Sequence, residues 1–268
     1  MSDEYELIVF DLDGTLLGPD LKIDPRVVEQ LHRLRAHGVQ TTLATGRILK
    51  AAAPFIEQLD IDIPVILYNG AVIIDPETRK ILYQQRLPRE SAALALRLVK
   101  DYDLHPELYV EPTDDVFYVE KITEPIARFI ANDRIAGVEV EDLEALLTVD
   151  PIKILIVGDR ATELRFRDRY LAHRPVATIT LSGAPGLPLL EVLPPKASKG
   201  TALIELCQRL GVPLERTVAF GDNMNDAEML TAAGLGVAMA DAPEALRTQA
   251  GLIAEDGIHQ ILEAIFSA

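Results

Sequence analysis

The feature that most constrains the fold of this chain is a short, wholly apolar segment close to its amino terminus. The segment, Leu7-Ile8-Val9-Phe10, contains no polar side chain, and such runs are typical of strands buried on both faces of a sheet. Helical and strand patterns then alternate, with helices expected at 25–38 and 48–59 and strands at 39–44 and 65–68. This alternation predicts an α/β fold with a doubly wound, Rossmann-like parallel sheet and right-handed crossovers.

The same rhythm returns in the last quarter of the chain, whereas the middle has a different pattern. In the last quarter, helices are expected at 199–210 and 226–233, and strands at 217–220 and 237–239. In the middle, helical patterns mix with candidate half-buried strands at 116–119 and 176–181, and polar and apolar residues alternate over 178–181. Such alternation suits a sheet that is exposed on one face.

This difference predicts an insertion. We expect a core formed by residues 1–84 and 188–268, into which an α+β domain of residues 85–187 is inserted. The turn-rich segment 182–186 is a candidate hinge between the two. One long doubly wound sheet is the alternative, but the charged strand candidates of the middle region fit it less well.

The composition and charge of the chain limit its partners. The 268 residues are 49% apolar and carry a formal net charge of −16. A chain of this length and hydrophobicity can bury a sizeable core, which excludes general disorder. The acidic balance argues against a nucleic-acid or anionic-membrane partner, because both require a basic surface. A small anionic ligand would require local cations or a metal ion.

The sequence also bears on location and assembly. The single cysteine, Cys207, allows no intrachain disulfide and no cysteine-rich zinc site. The first residues lack a signal-peptide pattern, and no apolar run approaches the roughly 20 residues that a membrane helix needs. We therefore expect a cytoplasmic protein with no membrane partner, present as a monomer or a weak homodimer.

The strongest chemical signal is the sequence Asp11-Leu12-Asp13-Gly14-Thr15, directly after the first expected strand. In open α/β sheets, ligands bind at the carboxyl ends of the strands. Two carboxylates placed there, two residues apart, can converge on one cation. Mg²⁺ suits such a site because it prefers carboxylate oxygens and keeps some of its waters for a substrate phosphate. By itself, the motif is also compatible with an ordinary acidic turn.

Three further polar segments stand at strand ends or helix starts. Residues 221–226 follow the strand expected at 217–220, and they open a helix whose N–H groups favour anions. Thr45 and Gly46 offer a hydroxyl and an amide that suit a phosphoryl oxygen. Lys199 lies in the first turn of a helix, where its charge opposes the dipole, so we expect a compensating anion. Each segment alone is compatible with an ordinary helix cap, a turn or a surface lysine. Together with the first motif, the three segments predict a Mg²⁺–phosphate site.

Taken together, these segments resemble the haloacid dehalogenase (HAD) superfamily of phosphotransferases, and more closely its Cof-like sugar-phosphate phosphatases with an inserted type IIB cap. Residues 11–15 are similar to the first motif of that family, Thr45 to the second, Lys199 to the third and 221–226 to the fourth. Their order and spacing match over essentially the whole chain. Asn69-Gly70-Ala71 also matches a segment that precedes the cap in Cof-like members.

The resemblance implies a role for each of these residues. Asp11 would attack phosphorus and become an aspartyl-phosphate, and Asp13 would act as the general acid and base. Mg²⁺ would bind the Asp11 carboxylate, the Asp13 backbone carbonyl and Asp222. Asp226 would orient Lys199 or a metal-bound water. The phosphoryl oxygens would meet the following groups: the Leu12 backbone amide, Thr45, Gly46, Lys199 and Asn225.

We therefore expect a Mg²⁺-dependent phosphatase that acts on a small phosphorylated metabolite. Hexose phosphates, pentose phosphates, a phosphorylated flavin precursor and pyridoxal phosphate all fit the family, and residues 85–187 are expected to select among them. A phosphomutase that uses the same site is one alternative. A non-hydrolytic phosphoaccepting or sensor module is another, although the intact Asp13 argues against it.

Overall fold

The structure, a computed structural model, describes residues 4–18, 20–184 and 187–266. These residues form two compact units. The first unit comprises the described residues up to Arg47, from Ala52 to Tyr83 and from Ser198 onward. The second comprises Ile48–Ala51 and Gln84–Ala197. Its carboxyl end therefore lies at Ala197, ten residues beyond the expected boundary at 187.

The part of the chain up to Gln84 contains the expected alternation of strands and helices. Its elements are β1 (Leu7–Phe10), α1 (Pro25–Arg35), β2 (Gln40–Leu43), α2 (Leu49–Gln58), β3 (Val65–Leu67), β4 (Val72–Ile74) and β5 (Ile81–Gln84). The α1 helix begins where the sequence indicates, because the Asp24 side chain accepts a hydrogen bond from the Arg26 amide and Pro25 occupies the first turn.

The second unit is built on one mixed sheet. Its elements are α3 (Arg89–Val99), β6 (His105–Tyr109), β7 (Val116–Val119), α4 (Glu124–Asp133), β8 (Ala136–Glu139), β9 (Lys153–Val157), α5 (Arg160–Ala172), β10 (Thr178–Ala184) and β11 (Leu187–Leu193). The sheet has the strand order β10-β11-β9-β6-β7-β8. Helices α3 and α5 contribute Leu96 and Phe166 to a buried cluster with Ile154 and Leu190 of the sheet.

The chain then returns to the first unit and completes its sheet. The elements are α6 (Lys199–Leu210), β12 (Thr217–Gly221), α7 (Ala227–Ala232), β13 (Leu235–Met239), α8 (Glu244–Arg247), β14 (Leu252–Ala254) and α9 (Ile258–Phe266). The strand order is β14-β13-β12-β1-β2, and every pair in it is parallel. This is the doubly wound α/β sheet that the sequence predicts, and its interior strands β1 and β12 are wholly buried.

The register of this sheet decides where the polar loops lie. Phe10 of β1 is aligned with Leu43 of β2 on one side and with Phe220 of β12 on the other. The three strands therefore end at the same level. The segments that follow them emerge side by side at one edge of the sheet.

The third expected strand differs from the prediction. β3 touches the main sheet through one parallel bridge, Ala44–Ile66, and belongs to a separate sheet of order β3-β4-β5. The reason is the turn Tyr68–Gly70, whose three residues all have positive φ. This turn reverses the chain, so that β4 pairs antiparallel with β3.

The candidate hinge at 182–186 is wrong for its described part. Ser182 and Gly183 lie within β10 and are aligned with Leu189 and Pro188 of β11 in an antiparallel pair. Pro185 and Gly186 lie outside the described residues. β11 also pairs with β9, so this segment joins two neighbouring strands of the second unit. The separate sheets of the two units likewise replace the alternative of one long sheet.

Among the residues that the structure describes, we find no helix with the length and hydrophobicity that crossing a membrane requires.

Candidate active site

The polar segments at the ends of β1, β2 and β12 lie next to one another. The Asp11 amide donates to the Phe220 carbonyl (2.9 Å), and the Ala44 amide donates to the Phe10 carbonyl (2.8 Å). These bonds continue the parallel ladder by one residue beyond β1 on each side. Asp11, Thr45 and Asp222 are thereby held at one edge of the sheet, although they are far apart in the sequence.

A buried lysine lies at the centre of this edge. Lys199 is 1% exposed, and its Nζ donates to Asp11 Oδ1 (2.5 Å) and to Asp226 Oδ1 (2.6 Å). Burial opposes the charged ammonium, but the carboxylates of Asp11 and Asp226 outweigh it and raise the pKa of Lys199. These two carboxylates compensate a cation that opposes the dipole of α6.

The start of α6 fixes the position of this lysine. Ser198 is the N-cap, and its side chain and that of Thr201 satisfy each other's backbone amides in a capping box. A Cβ atom on Gly200 would lie 2.6 Å from the backbone carbon of Glu228. The glycine therefore lets the first turn of α6 pack directly against the backbone of α7.

Asp226 organises the loop after β12. Its Oδ2 accepts hydrogen bonds from the amides of Asp222 and Asn223, both at 3.1 Å. Its Oδ1 accepts from Lys199, so both carboxylate oxygens are engaged by groups of the chain. A Cβ on Gly221 would lie 2.4 Å from the Asp226 Cβ, so a glycine is needed there. Asp226 thus orients Lys199 and shapes the loop that carries Asp222.

Three carboxylates at this edge form a candidate metal site. Oxygen atoms of Asp11, Asp222 and Asp226 lie within 4.8 Å of one another. Burial, together with the Asp226 charge, raises the pKa of Asp222 to about 6. Burial also raises the pKa of Asp11 well above its ordinary value, because Lys199 only partly offsets it and the carboxylates of Asp226 and Asp222 add to it. One lysine faces three carboxylates, and this negative excess fits a divalent cation with hard oxygen ligands.

The loop after β1 brings Asp222 close. Gly14 has a φ of +86°, and a Cβ there would lie 2.3 Å from Asp222 Oδ2. The Thr15 hydroxyl donates to Asp222 Oδ1 at 3.3 Å. The glycine and threonine of the first motif therefore accommodate and orient an aspartate that is more than 200 residues away.

Asp13 has a partner that the sequence did not identify. Arg47 donates from Nε to Asp13 Oδ2 (2.8 Å) and from Nη2 to Asp13 Oδ1 (2.6 Å). The arginine side chain is 8% exposed, whereas that of Asp13 is 48% exposed. The guanidinium carbon also lies 5.7 Å from the ring centre of Phe55. This bidentate pair fixes the orientation of a carboxylate that would otherwise rotate freely at the surface.

The remaining expected phosphoryl contacts line the same edge. Thr45 is 1% exposed, and its Oγ1 accepts from the Arg47 amide at 3.1 Å. Leu12 is wholly buried, and its carbonyl accepts from Leu17 as the loop after β1 closes. The Asn225 Nδ2 donates to Asn69 Oδ1 at 3.1 Å. Asn69 in turn lies against Gly46, since a Cβ on Gly46 would be 3.0 Å from Asn69 Nδ2.

The structure thus brings the expected site residues to one edge of the first unit, through shared strands, loops and contacts. It adds two residues without an expected role, Arg47 and Asn69. Arg47 directly follows Gly46, and Asn69 opens the segment Asn69-Gly70-Ala71. Their positions beside or within these motif segments were the available signal.

Comparison with known proteins agrees with this geometry. A family model described as haloacid dehalogenase-like hydrolase matches residues 8–261. The chain is 31% identical to the 5-amino-6-(5-phospho-D-ribitylamino)uracil phosphatase YitU of Bacillus subtilis, with 100% of both chains covered. It is 30% identical to the pyridoxal phosphate phosphatase YbhA of Escherichia coli, over 93% of each.

A solved structure shows the same fold. The haloacid dehalogenase-like hydrolase from Bacteroides thetaiotaomicron superimposes with a TM-score of 0.86 at 28% identity. The superposition covers 98% of this chain and 100% of that one. With a family model over nearly its whole length and relatives that are phosphatases, the chain belongs to the haloacid dehalogenase-like hydrolase family, as a phosphoric monoester hydrolase.

Proposed function

We propose that this protein is a Mg²⁺-dependent phosphatase that hydrolyses small phosphorylated metabolites through a phosphoaspartate at Asp11. The observation that carries the proposal is the buried set at the end of β1. There, Asp11 shares Lys199 with Asp226, and Asp222 stands beside them. A nucleophile, a cation and a metal-binding excess of negative charge are the parts that phosphoryl transfer requires.

In the first half of the reaction, an oxygen of the Asp11 carboxylate attacks phosphorus. A bond forms between that oxygen and phosphorus, and the bond from phosphorus to the leaving oxygen breaks. Asp13 donates a proton to the leaving alkoxide. The product alcohol and an aspartyl-phosphate result.

In the second half, Asp13 accepts a proton from a water molecule that attacks the phosphorus of the aspartyl-phosphate. The bond between phosphorus and the Asp11 oxygen breaks, which restores the carboxylate and releases inorganic phosphate. The Arg47 pair supports both proton transfers, because it holds the Asp13 side chain in one orientation.

Positive charges and hydrogen-bond donors offset the repulsion between the Asp11 carboxylate and an anionic phosphoryl group. When bound by Asp11, Asp222 and the Asp13 carbonyl, Mg²⁺ supplies charge neutralisation at the transferring group. Lys199 adds a buried ammonium that already touches Asp11. The other proposed donors to phosphoryl oxygens are the Leu12 and Gly46 amides, the Thr45 hydroxyl and the Asn225 amide.

The proposed substrate class follows from the roles of the groups at the site and from the names of the relatives. Every group named above recognises the phosphoryl group or the metal, so another region must recognise the leaving group. We assign that role to the second unit, Gln84–Ala197. The relatives YitU and YbhA are named for 5-amino-6-(5-phospho-D-ribitylamino)uracil and for pyridoxal phosphate. Those compounds and sugar phosphates are the candidate substrates. We further propose that the protein is cytoplasmic and that it is a monomer or a weak homodimer.

The test is a phosphate-release screen over phosphorylated metabolites with added Mg²⁺, with Asp11→Asn as the control. We expect release of inorganic phosphate from a subset of monoesters and none from the variant. Product analysis distinguishes a phosphomutase, which would return the phosphoryl group to an isomer of the substrate. A protein that releases no phosphate from any monoester would contradict the proposal.

A further inference from the structure

The turn Tyr68–Gly70 has no role in the reaction described above, yet it lies against three of the segments that hold the phosphoryl group. The Asn69 amide donates to the Thr45 carbonyl (3.0 Å), and the Tyr68 amide donates to the Arg47 carbonyl (3.3 Å). The turn is thus anchored on both sides of Gly46.

The backbone of the turn is unusual. Tyr68, Asn69 and Gly70 have φ values of +53°, +52° and +92°, a region that residues with a side chain adopt at a cost. Such a conformation persists where surrounding contacts determine it. Here a Cβ on Gly70 would lie 2.0 Å from the Ser198 carbonyl oxygen. The turn therefore packs against the residue that precedes Lys199.

The Asn69 side chain links the other two segments. It is 3% exposed. Its Oδ1 accepts from Asn225 Nδ2 at 3.1 Å, and its Nδ2 is the atom that a Cβ on Gly46 would approach to 3.0 Å. One buried amide thus touches a residue from the second motif and a residue from the fourth.

The contact with Asn69 determines how the side-chain amide of Asn225 is oriented. Asn225 Nδ2 carries two hydrogens, and Asn69 Oδ1 accepts one of them. Asn225 Oδ1 is buried and has no hydrogen-bond partner. If the Asn225 amide rotated by half a turn, its oxygen would face Asn69 Oδ1 and the pair would lose its bond. Asn69 therefore fixes Asn225 with its second hydrogen free for an anion.

We infer that Asn69 is a positioning residue for the phosphoryl group, which acts by orienting the side-chain amide of Asn225. This inference rests on the proposed function and adds to it a residue that acts in binding. An acceptor that holds one N–H of Asn225 presents the other to a phosphoryl oxygen. Loss of that acceptor lets the amide turn its oxygen towards the anion, which weakens binding of any phosphoryl group, whatever its leaving group.

Two variants separate the side chain from the backbone. Asn69→Gly removes the amide but accepts the left-handed conformation without strain. Asn69→Asp keeps the oxygen that accepts from Asn225 but replaces Nδ2 with a charged oxygen beside Gly46. A matched control is Asp60→Gly. Asp60 is exposed in the same unit and also has a left-handed φ, of +50°.

The measurements are KM and kcat for 4-nitrophenyl phosphate and for the best metabolite from the screen, and the inhibition constant of inorganic phosphate, all with Mg²⁺. For Asn69→Gly we expect about a tenfold rise in KM and in the inhibition constant, from the loss of one hydrogen bond to a charged group. The rise is equal for both esters, and kcat changes by less than about threefold. Asn69→Asp raises both constants further, because it adds a negative charge. Asp60→Gly changes neither.

A double-mutant cycle tests the route through Asn225. Because Asn69 acts through that residue, Asn69→Gly/Asn225→Ala should bind phosphate no more weakly than Asn225→Ala alone. Additive losses would overturn the inference. An unchanged inhibition constant in Asn69→Gly, or a loss confined to kcat, would also overturn it. If Asn69→Gly does not fold, judged by circular dichroism, Asn69→Ala, which also removes the acceptor for Asn225, carries the same test. A wild-type protein that releases no phosphate would instead refute the proposed function.

Discussion

Both units bury charged side chains, but they arrange them differently. In the first unit, Asp11, Asp222 and Asp226 gather around the single cation Lys199. In the second unit, buried Lys153 and Glu191 pair one to one at 2.6 Å. The first arrangement has an excess of negative charge, whereas the second is balanced.

Two further buried carboxyls of the second unit, those of Glu107 and Glu163, each lie beside one polar or charged partner. Tyr109 donates to Glu107 at 2.8 Å, and burial raises the pKa of Glu107 well above its ordinary value. Burial raises the pKa of Glu163 to about 7, against the opposing charge of Arg160. The comparison shows that a buried charge alone does not indicate a site. An uncompensated excess of negative charge at the carboxyl ends of strands does indicate a site.

The largest expected effect concerns the nucleophile in the first unit. Asp11→Asn should lower kcat by about 10⁴-fold or more, because an amide cannot attack phosphorus. The variant should retain its fold and its metal-free stability, since it removes one negative charge from a repulsive cluster. Phosphate release and thermal unfolding measure the two outcomes. Glu191→Gln, in the balanced pair, is the control, and its effect should fall on stability. Near-normal turnover by Asp11→Asn would refute a covalent route through Asp11.

Removal of divalent cations is expected to have a comparable effect on activity alone. Excess EDTA should abolish phosphate release, and Mg²⁺ should restore it, with Mn²⁺ or Co²⁺ as substitutes. Ca²⁺ should inhibit, because its larger ligand number and longer bonds misplace the nucleophile relative to phosphorus. The paired charges of the second unit require no cation, so circular dichroism should show its fold unchanged. Full activity in EDTA would contradict the metal site.

A third effect concerns the balanced pair. Lys153→Met should lower the free energy of unfolding by about 3–5 kcal/mol, because it leaves Glu191 buried without its cation. Lys153→Met/Glu191→Leu should recover most of the loss, since it removes both charges. Urea denaturation provides the measurement. A single variant as stable as the wild type would show that Glu191 is solvated or neutral in the native protein.

The smallest expected effect is a pH dependence of the metal-free protein. The pKa of Asp222 is about 6 in the folded state, above the value of about 3.9 for an unfolded chain. A carboxyl whose pKa is raised by folding stabilises the protein at low pH, and that contribution is lost as the pH rises through about 6.

Without divalent cations, the midpoint of thermal unfolding should therefore fall between about pH 4 and about pH 7. Glu107 and Glu163 contribute in the same direction, so the informative quantity is the difference between wild type and Asp222→Asn. The variant should have the shallower slope, by about 2–4 °C over this range. Equal slopes would show that Asp222 does not hold a proton in the metal-free fold.

The strands of the first unit and the main motif residues could be predicted because they depend on local pattern. Leu7–Phe10 is a strand with the expected bounds, and α6 spans the expected residues 199–210. Parallel strands that end together bring their following residues together, so Asp11 and Asp222 could be expected to meet.

Other features depend on contacts that the local pattern does not specify. Asn69 and Asn225 are 156 positions apart, and nothing near either residue indicates the other. Arg47 and Asp13 are 34 positions apart. The Gly and Pro residues of 182–186 do not indicate whether the segments on either side pair with each other or join two units. The pairing of β10 with β11 decides that question.

The proposal that Asp11 carries the phosphoryl group is tested most directly by trapping it there. The protein is mixed with a metabolite identified in the screen, quenched with acid within one turnover, digested and analysed by mass spectrometry. We predict a phosphorylated peptide that contains Asp11, formed only with Mg²⁺ and absent from Asp11→Asn. Turnover of the same substrate with no phosphorylation of that peptide at any quench time, or with phosphorylation of another residue, would contradict the mechanism.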